Sequence, residues 1–315
     1  MITISVPSKV HLLGEHSVVY GKPALLAAID KRISVTITSS KTKRIQGIEI
    51  YAKEIGELLK ILEKEIKKKT GLKKIQPYSI TINSQVPVGS GLASSAALSA
   101  SFTAALLSFL KIPWNKKTIF EIAYEGEKFF HGNPSGGDLA TAIEGGFLWF
   151  RKEFEFLKTF SPLPFKPHKN IKQFILINSG KPKESTREMI EKVAKLKTLL
   201  PQEVQALFSL QEELTKQMVI ALKDGNEDSL IDCIKLGEKN LEELGTVGTK
   251  AQSIIRDIER LGGAAKITGG GGVKLGSGML LVYNKNMKGI LSYAKQKGLE
   301  VLTIQIGEEG LKKDE

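Results

Sequence analysis

The stretch "PVGSGLASSAALSA", residues 87–100, is rich in glycine and serine in its first half and in small or apolar helix formers in its second. A glycine-rich turn that opens a helix suits a phosphate, because unpaired backbone N–H groups and the positive end of the helix dipole converge on one point. Two common versions of that device do not fit. The Walker pattern GxxxxGK[ST] requires a lysine, and none follows Gly91. The dinucleotide pattern GxGxxG is only approached by Gly89, Gly91 and Ser94, and "LLSFLKIPW" lacks the acidic residue needed ~20 positions on. Phosphate can still be held when helix amides supply the donors and a hydroxyl reaches a metal. Ser94 and Ser95 stand at the first helical positions, where capping accounts for one hydroxyl but not two. A tight strand-to-helix turn is the structural alternative for the whole loop.

The first forty residues read as four strands, "ITISVP", "KVHLLG", "PALLAAI" and "ISVTIT", rich in aliphatic and β-branched residues. "EIGELLKILEKEIKKKTG" places Ile55, Leu58, Leu59, Leu62 and Ile66 on one helical face and stops at Gly71. "YSITINSQVP" is a strand leading into the loop. "SSAALSASFTAALLSFLK" has small or apolar residues on every side and reads as a buried helix. A helix "NKKTIFEIAYEGEKFF" follows, then strand-like "GGFLWF". Three prolines in "SPLPFKPHKN" (161–170) mark the best boundary, giving domains 1–165 and 166–315. The second half runs strand, helices, strand, strand, helix, strand. That is the βαββαβ order of a ferredoxin-like layer with extra helices. The fold class is α+β in both halves.

Composition narrows the function classes. A chain of 315 residues with 41% hydrophobic and 7% aromatic content is that of a soluble globular protein. The apolar run 93–110 is interrupted by serines, against the ~20 strongly apolar residues of a membrane span. No signal peptide is visible and the single Cys233 excludes an internal disulfide, so a cytoplasmic protein is expected. Abundant Lys, Glu and Ile with little Cys point toward a thermophilic source. The net charge of +12 suits polyanionic small substrates by steering. Nucleic-acid binding is the rival from another class, but no zinc-finger spacing, aromatic RNA-binding motif or basic arm accompanies the lysines.

Three further segments carry candidate chemistry. In "GEKFFHGNPSGGD" (126–138) Glu127 lies near a helix end and Asp138 beyond a Pro–Ser–Gly–Gly turn, so the two carboxylates can converge on a metal and a reacting hydroxyl. The alternative is that Asp138 caps the next helix. "KITGGGGVKLGSGM" (266–279) has four consecutive glycines, which are entropically costly and imply close approach of a ligand or of another segment. In "SKVHLLGEHSVVYGKPAL" (8–25), Lys9, Glu15 and His16 sit among aliphatic residues. A buried lysine calls for an anionic neighbour, while an exposed strand end explains Glu15 and His16 equally well.

Taken in order, "KVHLLGEHSVVYGKPAL", "PVGSGLASSAAL", "HGNPSGGD" and "AKITGGGG" resemble the GHMP kinases, and within them the mevalonate kinases, from Lys9 to Gly272. The resemblance implies a two-domain fold, ribosomal-protein-S5-domain-2-like and then ferredoxin-like, with the site in the cleft between them. It implies Mg-ATP as phosphoryl donor, the primary hydroxyl of mevalonate as acceptor, and an ATP:alcohol phosphotransferase of isoprenoid precursor synthesis. By the same resemblance Asp138 is the catalytic base and Lys9 its partner, and Ser95 and Glu127 bind Mg2+. Pro87, Val88, Gly89, Ser90, Gly91, Leu92, Ala93, Ser94 and Ser95 form the ATP phosphate loop. Glu15, His16, Thr186, Gly270 and Gly271 line the acceptor site, and a homodimer is implied by analogy. Neither nucleic acid nor membrane is expected as a partner. Ala93 replaces the family's usual glycine, a change that is tolerated if the backbone there has ordinary dihedrals. "GGGGVKLGSG" replaces the usual alternating-glycine run, so Val273 and Lys274 bear on acceptor choice. The related alternatives are kinases of phosphomevalonate, a sugar or homoserine.

Overall fold

The computed structural model describes residues 1–47, 52–86, 91–171 and 173–314, so the predicted loop residues Pro87, Val88, Gly89 and Ser90 lie outside the described residues. The first elements are β1 (Ile2–Leu13), a 3-10 turn (Ser17–Tyr20), β2 (Pro23–Ser39), β3 (Arg44–Gln46), α1 (Ala52–Thr70) and β4 (Tyr78–Ser84). Next come α2 (Ser94–Phe109), α3 (Lys116–His131), α4 (Gly137–Glu144), β5 (Phe147–Lys152), β6 (Lys158–Leu163) and β7 (Gln173–Asn178). Four helices follow: α5 (Thr186–Leu199), α6 (Pro201–Asp224), α7 (Glu227–Glu243) and α8 (Thr249–Arg260). The chain then forms β8 (Ala264–Ile267), β9 (Met279–Tyr283), α9 (Met287–Gln296), β10 (Val301–Gln305) and β11 (Lys312–Asp314).

The four strands expected at the start are two long ones. The polar trio Asp30, Lys31 and Arg32, which reads as a break, marks a change of partner within β2. Residues 23–27 pair with β5 and residues 33–39 pair with β4. Likewise β1 runs through Pro7 without interruption.

By contacts the chain forms two interleaved units: Met1–Lys9 with Ala28–Gly146 and Glu308–Glu315, and Val10–Ala27 with Phe147–Gly307. A single cut after residue 165 does not describe this grouping. In the first unit, strands in the order β11-β1-β2-β4-β3 are accompanied by α1 to α4. Ile55, Leu58, Leu59, Leu62 and Ile66 of α1 are all buried, the one-sided face that period 3.6 dictates. Helix α2 is buried on all sides from Ala96 to Leu107, so it is a central element rather than a surface one.

In the second unit the sheet order is β10-β7-β9-β8, antiparallel throughout. With α5 to α8 between β7 and β8, and α9 between β9 and β10, this is the ferredoxin-like arrangement expected from the element order. Its core is built from Ile175, Ile177, Phe208, Leu241, Ile255, Leu280 and Val282. Cys233 is buried in α7. Among the described residues no helix is long and apolar enough to cross a membrane.

Candidate functional site

The first unit brings four predicted residues together. Lys9 lies on β1 with its side chain 3% exposed, and its ammonium is 3.1 Å from the Asp138 carboxylate, which is 38% exposed. The anionic neighbour that a buried lysine requires is thus present, and it faces solvent where a substrate can reach it. Asp138 does not cap α4, whose N-cap is Gly136. It sits within the first turn, where the helix dipole favours an anion. The backbone N–H of Lys9 donates to the Leu92 carbonyl at 3.2 Å, which ties β1 to the loop that opens α2.

Neither does a serine cap α2. The N-cap position is Ala93, held left-handed at φ 60° and ψ 35°, and it makes no side-chain cap bond. The condition under which alanine replaces glycine without cost, ordinary dihedrals, is therefore not met at Ala93. The loop turns into the helix through a conformation that costs a Cβ-bearing residue ~1–2 kcal/mol. Such strain held at a helix-opening loop is characteristic of functional sites. The hydroxyl of Ser95 instead lies 3.1 Å from His131 Nε2. His131 is in turn 3.8 Å from the Glu127 carboxylate.

Glu127, on α3, is 3% exposed, and its Oε1 is buried without a hydrogen-bond partner. Burial, and then the nearby Asp138 charge, push its carboxyl up to about 8, against the opposing pull of Ser95 and Lys9. This value lies above the ordinary 4.5, so the protonated form favours the fold at low pH, and that contribution is lost as pH rises through about 8. The ligand-free chain is therefore expected to unfold at a lower temperature at pH 9 than at pH 6. Glu127→Gln should remove most of that difference. Equal pH dependence of the two proteins in thermal scans would contradict the assignment.

The second unit holds the other predicted group. Glu15 and His16 are buried, at 3% and 5% exposure, which removes the exposed strand end as their explanation. His16 Nε2 lies 3.0 Å from the Gly270 carbonyl, and burial lowers the imidazole's affinity for a proton. The neutral ring therefore donates through Nε2, and its Nδ1 is buried without a partner. Thr186 opens α5 behind a capping box of Ser185 and Glu188. A Cβ on Gly270 would meet the Thr186 side chain at 3.0 Å. Gly271, at φ +70°, leaves no space for a Cβ, which would fall 2.2 Å from the Thr246 carbonyl oxygen. Close approach of another segment thus accounts for this glycine. Lys274 N–H donates to Glu184 at 3.3 Å, so the atypical part of the loop is tied to the segment preceding α5.

Lys266, which no sequence motif singles out, belongs to this group. It is wholly buried on β8 and forms an ion pair with Glu15, and its ammonium also donates to the Ile267 carbonyl. Glu238 of α7 accepts the Ile267 N–H at 2.9 Å, and burial raises its carboxyl well above the usual range. The available signal was a lysine inside the apolar run "AAKI", all four residues of which are buried. His131, the last residue of α3, carries no sequence signal of its contact with Ser95.

A family model described as the GHMP kinases N terminal domain matches residues 51–146. The mevalonate kinase of Archaeoglobus fulgidus is 32% identical over 270 residues, covering 85% of this chain and 88% of that protein. The mevalonate kinase of Pyrococcus furiosus is 30% identical and covers 100% of this chain and 98% of its own length. The crystal structure of L. major mevalonate kinase in complex with R-mevalonate superposes with a TM-score of 0.82. It is 20% identical and covers 97% of this chain and 96% of that one, a likeness of fold.

Proposed function

We propose that this chain, which belongs to the mevalonate kinase family, transfers the terminal phosphoryl group of ATP to the primary hydroxyl of mevalonate. The products are 5-phosphomevalonate and ADP. The observation that carries the mechanism is the Lys9–Asp138 pair, one partner buried and the other open, beside Glu127 and Ser95 near the start of α2.

Phosphoryl transfer has a loose transition state, so positioning and charge stabilisation dominate. Asp138 orients the acceptor hydroxyl and takes its proton as the oxygen bonds to phosphorus and the bond to the departing ADP oxygen breaks. Lys9 keeps that carboxylate in place and offsets the negative charge growing on the acceptor oxygen. The N–H groups opening α2, with its dipole behind them, receive the phosphates. In the second unit, Glu15, His16, Thr186, Gly270 and Gly271 serve the acceptor. The neutral His16 presents Nδ1 as a hydrogen-bond acceptor to a hydroxyl.

Ser95 and Glu127 would hold a magnesium ion. Both offer hard oxygen donors, and the buried, unpartnered Oε1 of Glu127 suits a cation ligand. Among the described residues no cluster of three or more His, Cys, Asp or Glu side chains could hold a metal. This fits an ion that takes its other ligands from phosphate and water. When bound, the ion neutralises phosphate charge. The same reading carries a cytoplasmic setting and a homodimer.

Coupled ADP detection over mevalonate, phosphomevalonate, galactose and homoserine tests the reaction. Mevalonate is expected to give the highest kcat/KM by about 10²-fold or more. A higher value for any other acceptor would replace it as the substrate.

A further inference from the structure

The Lys9–Asp138 pair joins two elements, β1 and α4, and the segment 308–314 touches both. On the α4 side, Leu311 N–H donates to the Ile143 carbonyl at 3.1 Å, and Gly146 N–H donates to the Glu308 carbonyl at 2.7 Å. The contact leaves no room for side chains. A Cβ on Gly310 would lie 2.3 Å from the Ile143 carbonyl oxygen, and one on Gly145 would lie 2.1 Å from the Gly310 nitrogen. On the β1 side, β11 pairs antiparallel with Thr3, Ile4 and Ser5, one short stretch before Lys9.

A single guanidinium locks this arrangement. Arg32 donates through Nη1 to the Glu309 carbonyl at 2.8 Å. Through Nη2 it donates to the Gly310 carbonyl at 2.7 Å and the Ser5 carbonyl at 3.0 Å. Its Nε donates to Ser5 Oγ at 3.0 Å, and that hydroxyl donates to Asp314 at 2.8 Å. The rigid fork of arginine satisfies several fixed carbonyls at once, which a flexible ammonium with three donors does only in part. Helix α4 has eight residues, about 12 Å, with Asp138 in its first turn and Ile143 near its end. A helix that short moves as one piece, so anchoring its end fixes its beginning.

We infer that Arg32 is a positioning residue: through segment 308–314 it sets α4 against β1, and with them the approach of Asp138 to Lys9. The inference rests on the proposed role of that pair. A misplacement of about 1 Å at a reacting centre costs ~10²-fold in rate, so loosening the brace acts on turnover more than on nucleotide binding.

The test compares the full chain with Arg32→Met and Arg32→Lys, well below the unfolding temperature of each. It reads steady-state kinetics and amide hydrogen exchange over residues 137–144. Arg32→Met is expected to lower kcat about tenfold or more, with KM for ATP within about twofold, and to speed exchange in α4 relative to α3. Arg32→Lys should recover part of both. Lost stability alone leaves the kcat of folded molecules unchanged, so a wild-type kcat in Arg32→Met overturns the role whatever the exchange shows. A lower kcat with unchanged α4 exchange overturns the route through α4. If Arg32→Met does not fold, Ser5→Ala removes only the hydroxyl-mediated part of the lock and should give a smaller fall in kcat, whose absence overturns the role. A wild-type chain that forms no ADP defeats the proposed reaction itself, and is seen before any variant is made. If it prefers another acceptor, the ratio of variant to wild type on that acceptor decides the role of Arg32.

Discussion

Asp138→Asn is expected to lower kcat by at least about a hundredfold while KM for ATP changes little, since general-base assistance is typically worth ~10²–10⁴. Asparagine keeps the size of the side chain and can still accept a hydrogen bond, but it cannot take a proton at neutral pH. The loss therefore falls on the transition state and not on the ground state. A second consequence separates this from general damage. Asp138 is one of the two influences that raise the Glu127 carboxyl, so the stability loss, which runs from the ordinary 4.5 up to about pH 8, should be smaller and end at lower pH in the variant. Near-wild-type turnover would remove Asp138 from the mechanism. An unmoved pH transition would contradict its coupling to Glu127.

Lys266→Met is expected to have the largest effect on stability, about 3–5 kcal/mol, because removing one partner strands the other as a buried charge. Lys266 and Glu15 have side chains 0% and 2% exposed, and Glu15 Oε2 is already without a hydrogen-bond partner. The Glu238 carboxyl faces the same ammonium, which opposes its raised proton affinity; without Lys266 it becomes harder still to ionise and brings Glu15 no compensating positive charge. Lys266→Met/Glu15→Gln should recover most of the loss, since a neutral amide costs much less to bury than a carboxylate. Urea unfolding followed by Trp149, in a Trp114→Phe background, reports on the unit that contains the pair. A single variant within ~0.5 kcal/mol of wild type would show that Glu15 is protonated or resolvated there.

The parts of the fold legible in the sequence are those set by local periodicity. The buried stripe of α1, the all-round burial of α2 and the ferredoxin-like order of the second unit follow from spacing and element sequence, which neighbouring residues determine between themselves. The joins were less legible. Pro7 and the trio Asp30 to Arg32 read as breaks because a change of strand partner leaves the same polar mark as a turn. Ala93 gave no sign of its left-handed backbone, because that conformation is imposed by the loop and helix on either side and not by the alanine.

The candidate site divides in the same way. Its types and spacing were in the sequence: a hydroxyl pair opening a helix, two carboxylates across a Pro–Ser–Gly–Gly turn, and a lysine among aliphatic residues. Only the tertiary structure decided which charges meet. Lys9 finds Asp138 and Glu15 finds Lys266, pairings separated by more than a hundred positions along the chain. The contact of Arg32 with Glu309 and Gly310 is of the same kind. Burial turns these encounters into chemistry, since a carboxylate or ammonium withdrawn from water is governed by the few groups around it. Sequence spacing carries no record of that withdrawal.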